Sequence, residues 1–334
     1  PHVRLGREAD LVVVAPATAD LLARAAHGLA ADLLTNTLLT ARCPVLLAPA
    51  MHTEMWEHPA TRANVATLRE RGTVVLDPAV GRLTGADSGR GRLPDPADIA
   101  DLARLLLADA GALPRDLAGR RVLVTAGGTR EALDPVRFLG NRSSGRQGYA
   151  LALVAAARGA EVTVVAANVA LPDPTGVTVL RVSSAAELHD VTLSAARDVD
   201  AVVMAAAVAD FRPAMTESAK IKKDAGAPRP VVLAPTADVL ADLLADRRPG
   251  QVIAGFAAET GDEEGDWLEH GRRKLARKGA DLLVVNPVGD GLAFEQKDNS
   301  GVVLTADGGE IEIPSGPKAS LAATVWTLVA DRLA

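Results

Sequence analysis

The fold is decided by a stretch in the middle of the chain, which reads Val122-Leu-Val-Thr-Ala-Gly-Gly-Thr-Arg-Glu131. An apolar run that favours a strand is followed at once by paired glycines, which permit a tight turn. A continuous apolar run of this kind is typical of a parallel strand whose two faces are both covered by helices. The stretch therefore predicts the first strand of an α/β domain.

The same pattern extends outward from this stretch in both directions. Short apolar runs predict further strands at 11–15, 45–48, 74–76, 161–166, 177–181, 201–205, 252–254, 281–285 and 302–304. Longer stretches rich in alanine and leucine predict helices at 18–39, 59–71, 96–108, 146–158, 185–198, 237–246, 263–278 and 316–334. Alternating strands and helices predict an α/β fold with mainly parallel sheets, in Rossmann-like three-layer domains.

The length of 334 residues is typical of two such domains. A stretch containing glycine and proline, residues 110–120, ends one predicted helix and precedes the next strand, so we place the domains at 1–112 and 113–334. The first domain has only three predicted strands, and the chain opens at Pro1 rather than at a methionine. We therefore expect the N-terminal part of the first domain to be missing.

Composition excludes several classes of protein. A net charge of −6 and an aromatic content of 2% argue against a nucleic-acid binder. The one cysteine, Cys43, excludes a disulfide framework and a cysteine-based zinc site. No apolar run reaches the length of a membrane span and no signal segment opens the chain, so we expect a cytoplasmic protein without a membrane partner.

A polar loop, Asn141-Arg-Ser-Ser-Gly-Arg146, leads from the first motif into a predicted helix. Amides at a helix N-terminus favour an anion, and Ser143, Ser144 and Gly145 offer further donors, so the loop predicts a phosphate or carboxylate site. The alternative is a connection that merely caps the helix. The pair Gly127–Gly128 is not the dinucleotide fingerprint, because no Gly-x-Gly-x-x-Gly follows the strand.

A second candidate site follows the strand predicted at 201–205. Its end is built from small residues around Met204, Ala205 and Ala206, which allow a flat ligand to approach the backbone, and Asp210 comes shortly after. Ligands of open α/β sheets bind at the carboxyl ends of strands. Asp210 is therefore a candidate for binding a nucleotide or magnesium, and the alternative is an ordinary turn aspartate.

Lysine is scarce in this chain, with seven among 36 basic residues. Lys220 opens the run Lys-Ile-Lys-Lys, and Lys274 and Lys278 lie four apart on one predicted helix face, just after Phe256 at a strand end. An ammonium group is a good point charge for a triphosphate. These residues together predict a nucleoside triphosphate site, against the alternative of solvated charges.

The first domain offers weaker signals. Thr18 lies near a predicted helix start, where it is suited to cap the helix or to bind a phosphate. The stretch from Leu83 to Arg92 is too rich in glycine for a regular element, which predicts a mobile flap. The histidines at positions 2, 27, 52 and 58 share no metal-ligand spacing, so the metal ligands stay unassigned.

With these motifs in order, the chain resembles the bifunctional phosphopantothenoylcysteine decarboxylase / phosphopantothenate–cysteine ligase family of bacterial coenzyme A synthesis. The resemblance runs through essentially the whole chain. It is carried most specifically by Thr125-Ala-Gly-Gly-Thr-Arg-Glu, Leu133-Asp-Pro-Val-Arg, Asn141-Arg-Ser-Ser-Gly, Ala205-Ala-Ala-Val-Ala-Asp, Lys220-Ile-Lys-Lys and Gly255-Phe-Ala-Ala-Glu-Thr.

For the second domain, the resemblance implies that 4'-phosphopantothenate attacks the α-phosphate of CTP, with Mg²⁺, to form an acyl-cytidylate. The amine of cysteine then displaces CMP. It implies that Lys220 stabilises charge during activation, and that Arg137 and Asn141 handle the acyl-cytidylate and its attack by cysteine. Binding of the nucleotide is implied for Met204, Ala205, Ala206, Asp210, Lys220, Ala237, Asp238, Val239, Leu240, Phe256, Lys274 and Lys278.

For the first domain, the resemblance implies a decarboxylase that uses FMN to oxidise the cysteinyl thiol. His2 falls at the family's catalytic histidine, in the pattern His-x-x-Leu-Gly. Two positions depart from the family: His52 replaces an asparagine that binds substrate, and residues 84–87 read Thr-Gly-Ala-Asp, without the flap cysteine. The family also implies homo-oligomers, with ligase dimers and decarboxylase trimers.

Two other classes compete with this interpretation. A nicotinamide-dependent oxidoreductase predicts the dinucleotide glycine fingerprint, which the sequence lacks. A flavin- or nucleotide-binding module without catalysis is disfavoured for the second domain by Arg137, Asn141 and Lys220, and stays open for the first domain.

Overall fold

The computed structural model describes residues 1–83, 87–222, 230–262, 265–288 and 298–334, which form two compact units. The first unit consists of residues 1–119 with 153–161 and 174–177. The second consists of the described parts of 120–152, 162–173 and 178–334.

The described residues of the first unit contain a three-stranded parallel sheet in the order β1-β2-β3, and an antiparallel hairpin of β4 and β5. Its elements are α1 (His2–Glu8), β1 (Val12–Ala17), α2 (Ala19–His27), α3 (Leu33–Thr40), β2 (Val45–Pro49), α4 (Thr53–Glu57), α5 (Pro59–Glu70), β3 (Val74–Val75), β4 (Ala79–Arg82), β5 (Ser88–Arg92) and α6 (Pro96–Ala108). Leu22 and Leu47 are fully buried between α2 and this sheet, with Trp56 packed beside them.

The helix predicted at 18–39 is in fact two helices, α2 and α3. Gly28 ends α2 in the left-handed conformation, at φ 68°. Asp32 then begins α3, because its carboxylate accepts the Thr35 N–H at 2.8 Å while the Thr35 hydroxyl accepts the Asp32 N–H at 3.2 Å. The apolar pattern was continuous, but the glycine and the capping pair decided the break.

The expectation of no regular element was wrong for Ser88–Arg92, which forms strand β5, while its mobility as a flap stays a prediction. A Cβ atom on Gly91 would lie 2.1 Å from the Met51 carbonyl oxygen, and one on Gly89 would lie 2.3 Å from Thr53 Oγ1. The glycines therefore serve close packing against the start of α4. Residues 84–86, at the centre of the predicted flap, lie outside the described residues.

The described part of the second unit is built on an eight-stranded sheet in the order β10-β9-β6-β11-β14-β15-β16-β17, and the end of α7 and the first residues of β9 and β10 are counted with the first unit. Its elements are β6 (Arg121–Gly127), β7 (Arg130–Ala132), β8 (Phe138–Gly140), α7 (Arg146–Ala157), β9 (Glu161–Ala167), β10 (Val177–Val182), α8 (Ala185–Ala196), β11 (Ala201–Met204), β12 (Phe211–Pro213), β13 (Leu233–Pro235), α9 (Val239–Ala245), β14 (Val252–Glu259), α10 (Trp267–Lys278), β15 (Leu282–Pro287), β16 (Asp298–Thr305), β17 (Glu310–Pro317) and α11 (Lys318–Leu333).

Parallel pairing joins β6, β11, β14 and β15, and the added strands β16 and β17 are antiparallel. The predicted α/β class with mainly parallel sheets is thus confirmed. The helix predicted from residue 316 begins two residues later, at Lys318, because Glu310–Pro317 forms β17. The antiparallel hairpin β7–β8 and the antiparallel pair β12–β13 were not predicted.

The core of this sheet is made from the strands that the sequence identified. Leu123, Val202 and Ile253 are fully buried on neighbouring strands and pack against Leu188 of α8 and Leu243 of α9. Fully burying a side chain of this kind contributes about 1.5–3 kcal/mol. These contacts hold the three strands against the helices, and the candidate site lies at the carboxyl ends of the same strands.

Helix α11 is anchored by Trp326, which is fully buried. Its indole Nε1 donates a hydrogen bond to the Leu151 carbonyl oxygen of α7 at 2.8 Å. The largest fully buried side chain therefore also satisfies its polar atom. None of the helices in the described ranges is long and apolar enough to cross a membrane.

Helices α8 and α9 are joined by an ionic contact at His189. Its Nδ1 lies 3.0 Å from an Asp190 carboxylate oxygen, and its Nε2 lies 2.9 Å from one of Asp242. The two carboxylates, Asp190 first, raise the pKa of His189 above its ordinary value of 6.5. A protonated ring donates to both partners, whereas a neutral ring donates to only one.

We expect the free energy of unfolding to fall as pH rises through the raised pKa of His189, because that contribution is complete only below about pH 6.5. His189→Asn should remove this part of the pH dependence. Thermal melting from about pH 5.5 to about pH 8.5 measures the effect, with His27→Asn, exposed at the end of α2, as the control. Equal pH dependence of wild type and His189→Asn would contradict the expectation.

Candidate functional site

The candidate site of the second unit lies at the carboxyl ends of β6, β11 and β14, which are parallel neighbours. The residues after β11, 205–210, form a segment that we call the β11 loop. The Ala207 N–H donates to the Gly127 carbonyl oxygen at 2.8 Å, and the Thr129 N–H donates to the Ala207 carbonyl oxygen at 3.2 Å. The β11 loop is thereby bound to the end of β6.

Three threonine hydroxyls hold the β11 loop. Thr125 Oγ1 accepts the Ala206 N–H at 3.0 Å, and Thr129 Oγ1 accepts the Ala209 N–H at 2.9 Å. The hydroxyl of Thr236 donates to the Ala209 carbonyl oxygen at 2.5 Å. This last contact brings the start of α9 to the loop, so the two predicted nucleotide-binding segments, 204–206 and 237–240, are neighbours.

Acidic and basic side chains meet beside the β11 loop. Lys278 donates a hydrogen bond to Asp238, whose other oxygen accepts the Ala241 N–H at 3.1 Å and caps α9. Burial lowers the pKa of Lys278, and the nearby charge of Asp210 acts in the opposite direction. The structure thus brings together Asp210, Asp238 and Lys278, all three of them predicted from the sequence.

Lys274 lies one helical turn before Lys278 on α10. Its Nζ is 3.0 Å from a Glu259 carboxylate oxygen at the end of β14, on the strand that also carries the half-buried Phe256. The sequence predicted a triphosphate site that includes both lysines, and in the structure each lysine pairs with a separate carboxylate. A bound phosphate would have to compete with these carboxylates for the ammonium groups.

The predicted catalytic residues lie nearby. Arg137 Nη2 donates to the Ile221 carbonyl oxygen at 2.8 Å, so the guanidinium lies beside the segment that contains Lys220. Asn141 Nδ2 donates to the Val208 carbonyl oxygen of the β11 loop at 3.0 Å. Lys220 itself is exposed. Asn141 is thus bound to the β11 loop, and Arg137 lies beside the segment that contains Lys220.

The predicted anion loop precedes α7. Gly145 is buried at φ 79°, and a Cβ there would lie 2.5 Å from a methyl group of Val169. Its N–H donates to the Ser143 hydroxyl at 3.4 Å, and Ser143 and Ser144 are half-buried. The glycine is therefore required by packing, while anion binding by these residues stays a prediction.

In the first unit, the three predicted site residues lie on different elements. His2 lies in the first turn of α1, and its carbonyl oxygen accepts the Thr40 hydroxyl at 3.1 Å. Thr18 caps α2, with its hydroxyl accepting the Leu21 N–H at 3.2 Å. His52 immediately precedes α4 and is half-buried. Their catalytic and binding roles stay predictions.

Sequence reasoning missed several residues that shape the site. Asp134 binds Arg137, Glu259 binds Lys274, and Thr236 ties α9 to the β11 loop. The signal for Asp134 was present, because an Asp-Pro pair favours a turn closed by the aspartate. Among the described residues, no group of three or more histidine, cysteine, aspartate and glutamate side chains is placed to hold a metal ion.

Comparison with known proteins identifies relatives of both units. Residues 117–333 match the family model of the DNA/pantothenate metabolism flavoprotein C-terminal domain, and residues 1–107 match the Flavoprotein model. The coenzyme A biosynthesis bifunctional protein CoaBC of Mycobacterium tuberculosis is 62% identical, over 100% of this chain and 81% of that protein. The protein of the same name from Bacillus subtilis is 40% identical, over 94% of this chain and 76% of that protein.

A solved structure supports the same assignment. The C-terminal domain of a coenzyme A biosynthesis bifunctional protein CoaBC matches with a TM-score of 0.55 and 35% identity, covering 66% of this chain and 98% of that chain. A pantothenate metabolism flavoprotein from Streptococcus pneumoniae, at 20% identity and a TM-score of 0.53, shares the fold.

Proposed function

This chain belongs to the family of bifunctional coenzyme A biosynthesis proteins, and from that premise we propose how its two units perform the family's two reactions. It is an enzyme with a ligase and a decarboxylase activity. Nothing in the comparisons supports the nicotinamide-dependent oxidoreductase. We propose that the decarboxylase domain spans 1–112 and the ligase domain 113–334.

The second unit would ligate 4'-phosphopantothenate with cysteine in a reaction that converts CTP into CMP and pyrophosphate. The observation that carries this proposal is that Lys278 binds Asp238 beside the β11 loop, where the Asp210 carbonyl oxygen accepts the Thr236 N–H at 3.0 Å and residues 205–207 are all alanine. Small residues allow a base to approach the backbone, and the half-buried lysine offers a charge to the phosphates. Phe256, Lys274 and residues 237–240 would complete the nucleotide site.

Activation places several negative charges close together, because a carboxylate attacks a phosphate. The oxygen of the carboxylate becomes a good leaving group only after it carries the cytidylyl group. Lys220 would stabilise the charge that develops in this step. Arg137 and Asn141 would then hold the acyl-cytidylate while the amine of cysteine attacks, and CMP leaves.

The chemistry of the site also fits magnesium. Mg²⁺ commonly takes one or two carboxylates and completes its shell with substrate phosphates and water. Asp210 is exposed beside Lys278 and would supply such a ligand once the triphosphate is bound. A metal that binds with the nucleotide needs no separate cluster of side chains in the protein.

The first unit would decarboxylate 4'-phosphopantothenoylcysteine, with FMN accepting and returning the hydride. Two observations fit a phosphate-bearing cofactor. Thr18 is exposed at the start of α2, directly after β1, where helix amides favour a phosphate. Thr53 Oγ1 is buried and has no hydrogen-bond partner among the described residues. His52 precedes it and would contact substrate, while His2 would act on the reacting group.

Pyrophosphate release tests the ligase directly. The chain is given 4'-phosphopantothenate, cysteine, magnesium and one nucleoside triphosphate at a time. Release with CTP and little with ATP, GTP or UTP is expected. No release with any nucleotide would contradict the ligase proposal. We also propose that the protein forms homo-oligomers. We further propose that it is located in the cytoplasm, where the metabolites of coenzyme A synthesis occur.

Lys278→Gln should weaken CTP binding, because it removes a charge-assisted hydrogen-bond donor from the phosphates. Such a bond is worth about 1.5–3 kcal/mol, so we expect a KM for CTP about 10- to 100-fold higher. Initial rates against CTP concentration measure the effect. Arg277→Gln, which removes a charge from the adjacent exposed position of α10, is the matched control. Equal KM values for the two variants would contradict the assignment.

A further inference from the structure

The buried carboxylate of Asp134 connects two cationic parts of the ligase site, Arg137 and the segment that contains Lys220. Asp134 follows β7, and only 2% of its surface is exposed. Its Oδ1 accepts the backbone N–H groups of Val136 and Arg137, both at 2.8 Å. These bonds close the turn that begins at Asp134-Pro, as is typical of aspartate in this position. One carboxylate oxygen therefore serves the local turn.

The other oxygen joins residues that are distant in the sequence. Asp134 Oδ2 accepts from Arg137 Nη2 at 2.6 Å and Nε at 3.0 Å, and also from the Ile221 N–H at 3.1 Å. Arg137 Nη2 donates in turn to the Ile221 carbonyl oxygen at 2.8 Å. Both backbone polar groups of Ile221, directly after Lys220, are therefore held by this pair.

Adjacent contacts extend the connection. The Thr216 hydroxyl donates to the Ala132 carbonyl oxygen at 3.1 Å, and the Glu217 N–H donates to the Leu133 carbonyl oxygen at 3.0 Å. Arg137 holds the pKa of Asp134 well below its usual range, so the carboxylate is ionised at neutral pH. Residues 216–221 are thus hydrogen-bonded to residues 132–134, and the last of these bonds joins Ile221 to Asp134.

We propose that Asp134 is a positioning residue for ligation, which fixes the guanidinium of Arg137 relative to the Lys220 segment so that both cations act on one acyl phosphate. It acts through Arg137 and Ile221. The inference rests on the proposed function, from which the roles of Arg137 and Lys220 are taken. Misplacing a reacting group by about 1 Å can cost about 100-fold in rate, which sets the scale of the effect.

Asp134→Asn separates the two functions of the carboxylate. The amide oxygen can still accept the turn N–H groups, but the amide nitrogen is a donor and cannot accept from Arg137 or Ile221. Arg137 is about half exposed, so its guanidinium is not left as an unpaired buried charge. We expect kcat for CTP-dependent pyrophosphate release to fall about 10- to 100-fold, with KM for CTP changed less than about 3-fold.

The measurement is kcat per CTP-binding site, with the number of sites counted by equilibrium binding of CTP. A merely structural role would remove sites and leave kcat per site unchanged, which would overturn the proposal. Asp101→Asn is the matched control, because Asp101 also pairs with an arginine three residues later, but on an exposed helix face. An equal fall in that variant would likewise overturn the proposal.

Asp134→Glu keeps the inference testable if the asparagine variant does not fold. It retains the charge but moves it by one methylene, so Arg137 and the Lys220 segment are displaced. The same loss in kcat per site is expected, and kcat per site within about 2-fold of wild type would overturn the proposal. Wild type is assayed in parallel: its failure to release pyrophosphate with CTP would contradict the proposed function instead.

Discussion

Lys220→Gln is expected to lower CTP-dependent ligation by about 100- to 1000-fold, because it removes the charge that opposes the developing negative charge of the activation step. Lys220 is exposed, and its neighbour Ile221 is held by Asp134 and Arg137. The substitution therefore removes an ammonium group and leaves the segment in place. Pyrophosphate release at saturating CTP and 4'-phosphopantothenate measures the effect.

The control for this variant is Arg197→Gln, which removes a cation from the exposed end of α8. Its ligation rate should stay within about 2-fold of wild type, since exposed charges far from a site contribute little. Both variants should melt at the temperature of wild type. Unchanged ligation by Lys220→Gln would contradict the role given to this lysine.

Trp326→Ala is expected to destabilise the second unit by about 3–5 kcal/mol, the cost of removing a buried tryptophan and leaving a cavity. Trp326 is the largest fully buried side chain of the described residues, and it contacts the backbone of α7. The free energy of unfolding, from denaturant titration followed by circular dichroism, measures the loss.

Trp326→Phe separates the contribution of the buried apolar volume from that of the indole hydrogen bond. Phenylalanine keeps most of the apolar volume but loses the indole N–H, so it should cost about 1–2 kcal/mol. If the alanine variant were no less stable than the phenylalanine variant, the packing of α11 would not be what stabilises this unit.

The sequence predicted the fold through its buried parallel strands. Leu123, Val202 and Ile253 lie in apolar runs bounded by glycine or small residues, and such runs identify strands well. The antiparallel additions were harder, since β17 is mostly exposed and has no continuous apolar run. The split between α2 and α3 depended on Gly28 and on the Asp32–Thr35 pair, which outweighed a helical pattern.

The candidate site was predicted in part, because some of its residues stand out in the sequence by their type and by their place in the predicted elements. Asp210 was identified by its position after a strand, Lys278 by its place on a predicted helix face and Asp238 by the family resemblance, and in the structure Lys278 binds Asp238. Their carboxylate partnerships could not be predicted, because the sequence does not say which side chains face one another across an end of the sheet. The link that Asp134 makes to the Lys220 segment was missed because Ile221, which donates its N–H to this carboxylate, lies 87 positions away.

The strand order has a consequence for how the enzyme is made. Because β6, β11 and β14 are parallel neighbours, each pair is separated by a long crossover, and the contacts that build the nucleotide site have a high contact order. A nascent chain that has emerged from the ribosome only as far as Gly250 lacks the strand that carries Phe256 and Glu259. Capacity to bind nucleotide would therefore arise only after β14 and α10 have been translated.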